Sequence, residues 1–289
     1  MRCYVLDAKG HWFPALEAAL RNVGGTVAHA STWDGGEGYG FVRPSPDPEP
    51  LRKHQGIYRE LSRKLKMVQD ADHIDHYEDK SKQFALYGKW MPKTWRLTSL
   101  EDARETLKDA EYPLVSKANE GSSSRNVRVL YSVDEALRLA ECVFGSGIPV
   151  DLGRSEGRQQ GYMLLQEFIP HRITYRVNAI GSGRAIFFRY CHPDKPLAQT
   201  GNVEPCDFMT PEMESLLAWS DAFFSEAKTK WAGIDVLKQG NTWKLLETSL
   251  AWPWPSPGRC NEGPIFRSRH RWLGMFDVLA EDMDRGYFG

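Results

Sequence analysis

No apolar run in this sequence approaches the roughly 18 residues that a membrane span requires. The opening segment MRCYVLDAKG has no apolar h-region, which argues against a secretory signal. Cysteine is sparse: Cys3, Cys142, Cys191, Cys206 and Cys260 are scattered, odd in number and without a CxxC pair. That pattern excludes a disulfide framework or a structural zinc site and fits a reducing compartment, so a cytoplasmic protein is expected. An excess of one charge is also missing. The net charge is -1, and no global field marks nucleic acid or a membrane as partner. There is no GxSxG elbow and no Cys–His signature of a nucleophilic hydrolase. Internal repeats and low-complexity tracts are absent as well.

What is present is an ordinary globular composition, 41% hydrophobic and 26% charged, over 289 residues. That length suits two or three units of about 100–200 residues each. The charge clusters locally: Arg52, Lys53, Arg59, Arg63, Lys64 and Lys66 stand against a single Glu60, and RSRHR (267–271) forms a second basic knot. Each is read as a solvated face or as a dock for an acidic or nucleic-acid-linked substrate.

The first thirty residues read as strand, helix, strand. CYVLD is a buried strand, and Phe13, Leu16, Leu20 and Val23 recur at helical spacing before Gly24 and Gly25 stop the helix. TVAHA is the next strand, and a βαβ start implies a parallel sheet. WDGGEGYG and RPSPDPEP read as irregular, because glycine and proline break regular elements. GGEGYG lacks the lysine and following helix of a P-loop, and GxGxxG spacing is absent, so a flexible loop is expected. A basic amphipathic helix is expected over about 51–68. His73 and His76 stand at HxxH spacing without an evident third ligand, which leaves a metal or a surface and helix-capping role open.

After Pro92 come a helix carrying Leu100, Ala103 and Leu107, the strand YPLVSKA, the turn NEGSSSRN, the strand VRVLY, and a helix (134–143) capped by Ser132. GYMLLQEFI is an apolar strand, and ITYRVNAIGSGRAIFFRYC a hairpin turning at Gly181, Ser182 and Gly183. A helix (211–229), the hairpin AGIDVLKQGNTWKLLETS and a closing helix in RWLGMFDVLAEDM complete the chain.

Three elements carry chemistry. A turn of small residues beside Lys117 offers backbone N–H groups, hydroxyls and a point charge to phosphate, or is an ordinary hairpin turn. The edge of LLQEFI is either a backbone edge for a purine base or a plain buried strand. In the last hairpin, a three-residue loop of Gly240, Asn241 and Thr242 pairs Gln239 with Trp243 and sets Asp235 opposite Glu247. Directly opposed carboxylates repel. A shared Mg²⁺ explains them; a register slip of one residue, which places the acids on opposite faces, is the alternative.

Taken in order, DKSKQFALYGKWMPKTW, YPLVSKANEGSSSRNVRVL, LLQEFIP, TYRVNAIGSGRAIFFRY and GIDVLKQGNTWKLLETSLAWPWPSPG resemble the ATP-grasp superfamily. The likeness is nearest to its carboxylate–amine ligases of the RimK or D-alanine–D-alanine ligase kind. The resemblance implies an α/β (α+β) fold: a small N-terminal βαβ pre-grasp domain (1–78), then two grasp subdomains (79–165 and 166–289) sandwiching ATP. It implies that Lys80 and Lys117 contact the ATP phosphates, and that Ser122, Ser123 and Ser124 lie in a loop closing over them. Gln166, Glu167, Phe168 and Ile169 form the strand holding adenine. Arg176 and Arg189 lie near the γ-phosphate and acyl phosphate, and Asp235 and Glu247 bind Mg²⁺, with Mn²⁺ as a substitute. The sequence departs from the family in three places. Ser249 stands where an Asn usually completes the metal site, Thr174 replaces an acid near the ribose, and LAWPWP is inserted before SPG.

The function implied is that of an ADP-forming ligase. A carboxylate is activated as an acyl phosphate and joined to an amine or similar nucleophile, on a small-molecule or macromolecular substrate, nucleic-acid-linked substrates included. A kinase acting on a hydroxyl acceptor and a non-catalytic nucleotide-binding protein are the alternatives. Membrane partners are not expected, and composition is silent on oligomeric state.

Overall fold

The computed structural model describes residues 1–8, 10, 12–119, 126–151, 156–181, 183–191, 202–205, 209–250 and 274–288. The expected βαβ start is present: β1 (Arg2–Asp7), α1 (Trp12–Asn22) and β2 (Thr26–His29), with β1 and β2 parallel. The stretch expected to be irregular holds a buried strand, β3 (Tyr39–Arg43), parallel to β1 on its other side. Gly40 does not break this strand but admits its neighbour, since any side chain there would run into Met67. The basic helix, α2 (Pro48–Leu61), ends seven residues short of the expected Val68, because β4 (Lys66–Met67) pairs in parallel with β3 and must be extended. The first sheet therefore runs β2-β1-β3-β4.

Two short helices follow, α3 (Ala71–His76) and α4 (Lys80–Tyr87). Next come β5 (Thr94–Leu97), α5 (Leu100–Lys108), β6 (Leu114–Lys117), β7 (Val127–Leu130) and α6 (Val133–Phe144). The segment closes with β8 (Ile148–Asp151), β9 (Glu156–Gln159) and β10 (Met163–Glu167). The second sheet is antiparallel, β5-β10-β6-β7, and its apolar face packs on α5 and α6 through Leu97, Leu107, Leu130, Ala140 and Leu165. The hydroxyls of Ser99 and Ser132 cap those helices by accepting from the N–H groups of Asp102 and Glu135.

The third sheet is built from β11 (Ile173–Ile180), β12 (Arg184–Cys191) and β13 (Asn202–Pro205), and, after α7 (Pro211–Glu226), from β14 (Trp231–Gln239) and β15 (Thr242–Ser249). Its order is β13-β12-β11-β14-β15. One face, with Val177, Phe187, Ile234, Val236 and Leu245, packs on α7. The other carries Ile186, Phe188 and Trp231, which pack on α8 (Met275–Asp284) and on the first sheet. There an aromatic cluster fastens the N-terminal unit to the third sheet: Trp231 lies 5.1 Å from Phe41 and 5.9 Å from Trp12, ring centre to ring centre. Among the described residues no helix is long and apolar enough to cross a membrane.

Candidate functional site

The last hairpin sets the site, by a route the sequence arithmetic did not foresee. Its loop has two residues, not three: Gln239 pairs with Thr242, and Gly240 at φ +58 takes the first central position, where a tight hairpin turn calls for glycine. With that loop alone Asp235 would face Leu246. The register shifts between Asp235 and Val236, so that Leu246 is an extra, bulged residue and Asp235 stands opposite Glu247 after all. Asp235 also lies opposite Arg176 of β11, and the three side chains share one face of the sheet.

Arg176 holds Asp235 in a bidentate pair, its Nε and a terminal nitrogen each 2.6 Å from a carboxylate oxygen. Lys80, nearly buried at the first turn of α4, brings Nζ to 3.9 Å from Glu247. Lys117, at the end of β6, donates from Nζ to the carbonyl of the bulged residue Leu246 at 3.3 Å. Asn119 brings the two lysines together. Its carbonyl accepts from the Lys80 N–H at 3.2 Å and its side-chain oxygen from the Ser81 N–H at 2.9 Å, docking α4 onto the end of β6.

The electrostatics follow from that crowding. Burial pushes the Lys117 ammonium down to about 8, against the opposing pull of Glu247. Burial raises Asp235, and the Arg176 pair only partly offsets it while Glu247 adds to the rise. Burial would raise Glu247 too, but Lys80, Arg176 and Lys117 together outweigh it and hold that carboxyl low. The facing pair therefore shares its negative charge unevenly, with Glu247 the more acidic member.

Lys80, Lys117, Asp235 and Glu247 form the polar end of a cleft lying between the second and third sheets. Its other end is lined by Val115, Phe168, Ile169 and Leu237. Glu167 is the last residue of β10, and the chain then crosses from one sheet to the other through Phe168 and Ile169, outside either ladder. Gln166 is turned away to donate to the Thr94 hydroxyl at 2.9 Å, and Glu167 accepts from the Gln239 amide at 2.8 Å. Both fix the strand end, and both line the cleft. Thr174 borders the cleft, but its hydroxyl is fully buried and has no hydrogen-bond partner among the described residues.

Ser249 lies two residues beyond Glu247 on the same strand face, in register with Gly233. Arg189 is not brought to the cluster. Arg176 stands opposite Phe188, so Arg189, the next residue and the partner of Tyr175, points to the other face, where it is exposed. Ser122, Ser123 and Ser124, the RSRHR knot and the Trp/Pro insertion lie outside the described residues. His73 and His76 are not at the surface. Both are buried, their rings 4.6 Å apart, and no cluster of three or more metal-ligating side chains occurs among the described residues.

Two contributors went unseen in the sequence. The Gln83 side chain of α4 bonds both backbone groups of Thr248, accepting its N–H at 2.9 Å and donating to its carbonyl at 3.2 Å. That clamp fixes the strand between Glu247 and Ser249. His171 lines the cleft, donating from Nδ1 to the Ile169 carbonyl at 2.7 Å. No motif announces either residue: Gln83 is defined by a contact across the fold and His171 by its place on the cleft wall.

A four-stranded antiparallel sheet and a larger sheet that clasp a cleft between them, with a small parallel α/β unit fastened to the second, constitute the ATP-grasp fold. Solved structures bear this out over the full chain. The RimK-domain ATP-grasp protein of Sphaerobacter thermophilus superposes with a TM-score of 0.59 at 12% identity, covering 100% of both chains. D-alanine–D-alanine ligase from Bacillus anthracis, solved in complex with ATP, gives 0.59 at 14% identity over 100% of this chain and 97% of that one. A RiPP-associated ATP-grasp ligase of Chryseobacterium gregarium, solved with ADP and a leader and core peptide, gives 0.61 at 11% identity over 99% and 97%. No family model matches the sequence, and no curated protein does.

Proposed function

We propose that the protein is an ATP-dependent, ADP-forming carboxylate–amine ligase. The observation that carries this reading is the placement of Asp235 and Glu247 face to face beside Lys80 and Lys117, at the polar end of a cleft whose other end is apolar and bordered by a strand end. In this reading adenine lies against Val115, Phe168, Ile169 and Leu237, and pairs with the backbone of the crossing segment. Thr174, on the cleft wall, lies on the side of the sugar. Lys80 and Lys117 bind the phosphates, and Ser122, Ser123 and Ser124 cover them.

The donor set fits a hard dication: two carboxylates opposed on one strand pair, with Ser249 able to add a hydroxyl on the same face. Asp235, Glu247 and Ser249 would hold Mg²⁺ (or Mn²⁺), which when bound supplies charge neutralisation at the phosphate oxygens. Arg176 orients Asp235 and, from the same face, offsets charge on the transferred phosphoryl group. Lys80 of α4 and Lys117 of the second sheet do so from across the cleft. The substrate carboxylate attacks the γ-phosphorus and ADP leaves. The amine then attacks the acyl carbon and expels phosphate. Enclosure of the cleft keeps water from the acyl phosphate. A peptide or small-molecule carboxylate is in keeping with the folds matched, and the sequence leaves the acceptor open.

The test is to incubate the full chain with MgATP, hydroxylamine and a panel of carboxylates, and to follow ADP and hydroxamate together. Hydroxamate in proportion to ADP is the expected result. ADP released on hydroxyl compounds without hydroxamate would reassign the protein as a phosphotransferase. ATP bound without metal dependence and never turned over would make it a binding protein.

A further inference from the structure

Glu247 and Ser249 sit on a stretch of β15 that its own sheet holds poorly. Among the described strands β15 is the outermost of the third sheet and is paired on one side only. The bulge at Leu246 interrupts that pairing. Beyond it only three residue pairs remain, Asp235 with Glu247, Ile234 with Thr248 and Gly233 with Ser249. On an outermost strand every second residue turns its N–H and C=O away from the sheet, where they need another partner.

At Thr248 that partner is a single side chain. Gln83 Oε1 accepts from the Thr248 N–H and Gln83 Nε2 donates to the Thr248 carbonyl, so the amide stands where the peptide group of a further strand would stand. Nε2 donates its second hydrogen to the His76 carbonyl at 3.2 Å. The reverse orientation of the amide would set N–H against N–H, so these partners fix it. The Thr248 hydroxyl, on the face away from Glu247, lies 3.4 Å from His76 Nδ1. Gln83, Thr248 and His76 are all buried, and water does not compete for these bonds.

Helix α4 also carries Lys80, three residues before Gln83 and therefore on the same side. Its first turn is bonded to Asn119, two residues past β6, and its middle to Thr248 of β15. One helix thus braces both walls of the cleft. It brings the Lys80 ammonium to Glu247 while gripping the residue next to that carboxylate.

We propose that Gln83 is a positioning residue for the dication: its grip on Thr248 sets Glu247 and Ser249 at ligand spacing, facing Asp235. This role rests on the metal site of the ligase reading. A mere cover for the strand edge would stabilise the fold and leave metal affinity alone, whereas a positioning residue changes both.

The experiment measures, by calorimetry on the full chain, the affinity for a non-hydrolysable ATP analogue with Mg²⁺ and without it, alongside the melting temperature. The readout is the ratio of the two affinities in wild type, in Gln83→Met, and in Leu16→Val, a core truncation in α1 away from the cleft. Gln83→Met fills similar space without hydrogen bonds. It is expected to melt lower, since buried backbone groups lose their partners, and to lower the ratio by about tenfold. Affinity without metal is expected to hold, because Asn119 still places Lys80. Leu16→Val is expected to melt lower with the ratio intact. If Gln83→Met does not fold, Gln83→Asn, whose amide is one carbon too short for the clamp, is read in the same way. A wild-type ratio in the Gln83 variant, whether its affinities are unchanged or fall equally with and without metal, would overturn the proposal. A wild-type protein whose affinity ignores Mg²⁺ would instead remove the metal site, and this role with it.

Discussion

Asp235 and Glu247 stand opposite one another only because Leu246 is one residue too many for its strand. A two-residue turn and a bulge give the same net register as a three-residue turn and none. The carbonyl of that extra residue receives the Lys117 ammonium, tying the two clasping sheets together at the polar end of the cleft.

Glu247→Gln removes the lower-pKa partner of the facing acids while keeping its shape. The expected outcome is loss of metal-dependent binding of a non-hydrolysable ATP analogue by calorimetry, with a lowered melting temperature, since Lys80, Arg176 and Lys117 hold the Glu247 carboxyl low and lose that charge. Metal-dependent nucleotide binding at wild-type strength in this variant would remove Glu247 from the metal site.

Arg176→Ala leaves Asp235 with its desolvation penalty and without its bidentate partner. A destabilisation of about 3 kcal/mol is expected in urea unfolding. Adding Asp235→Asn to that variant should recover a good part of the loss, because an uncompensated buried charge is then gone. A double variant no more stable than the single would show that Arg176 acts through packing instead.

Lys117 titrates near 8 because it is buried, so the unliganded cleft loses a positive charge as pH rises through that value. Nucleotide affinity should fall above pH 8, approaching tenfold per pH unit, as binding must then take up a proton. Lys117→Arg should flatten the profile between pH 8 and 9.5, since guanidinium stays charged throughout. A wild-type profile level across that range would sink the assignment of Lys117 to the phosphates.

His76 is held neutral to about 4 by burial, and burial lowers the neighbouring His73 well below its ordinary value as well. In the unfolded chain both take a proton near 6.5. The unfolded state therefore binds more protons below that pH, and stability should fall as pH drops from 6.5 toward 4, by on the order of 3 kcal/mol for His76 alone. His76→Gln should shallow that slope in equilibrium unfolding followed at pH 7, 6 and 5.

Much of the fold was legible because its elements announce themselves locally. The βαβ start, the Ser132 cap, the apolar strand ending at Glu167 and the two late hairpins all rest on periodicity and turn residues that lie next to one another in the chain. Strand β3 escaped because Tyr39 and Gly40 merge into a glycine run. Only its place between β1 and β4 makes it a buried strand. The basic helix was drawn too long because helical pattern alone cannot see that Lys66 and Met67 are claimed by a sheet.

By itself the sequence determined which residue types meet in order: two lysines, an apolar strand end, an arginine, and two acids twelve residues apart on one hairpin. Their order along the chain was enough to suggest the fold. Which face each side chain takes was left to the tertiary structure, because strand alternation turns every one-residue change of register into a change of side. The bulge at Leu246 keeps Glu247 with Asp235, and the pairing of Arg176 with Phe188 sends Arg189 away from them. The clamp of Gln83 on Thr248 joins chain segments far apart in sequence, whose meeting no local pattern encodes.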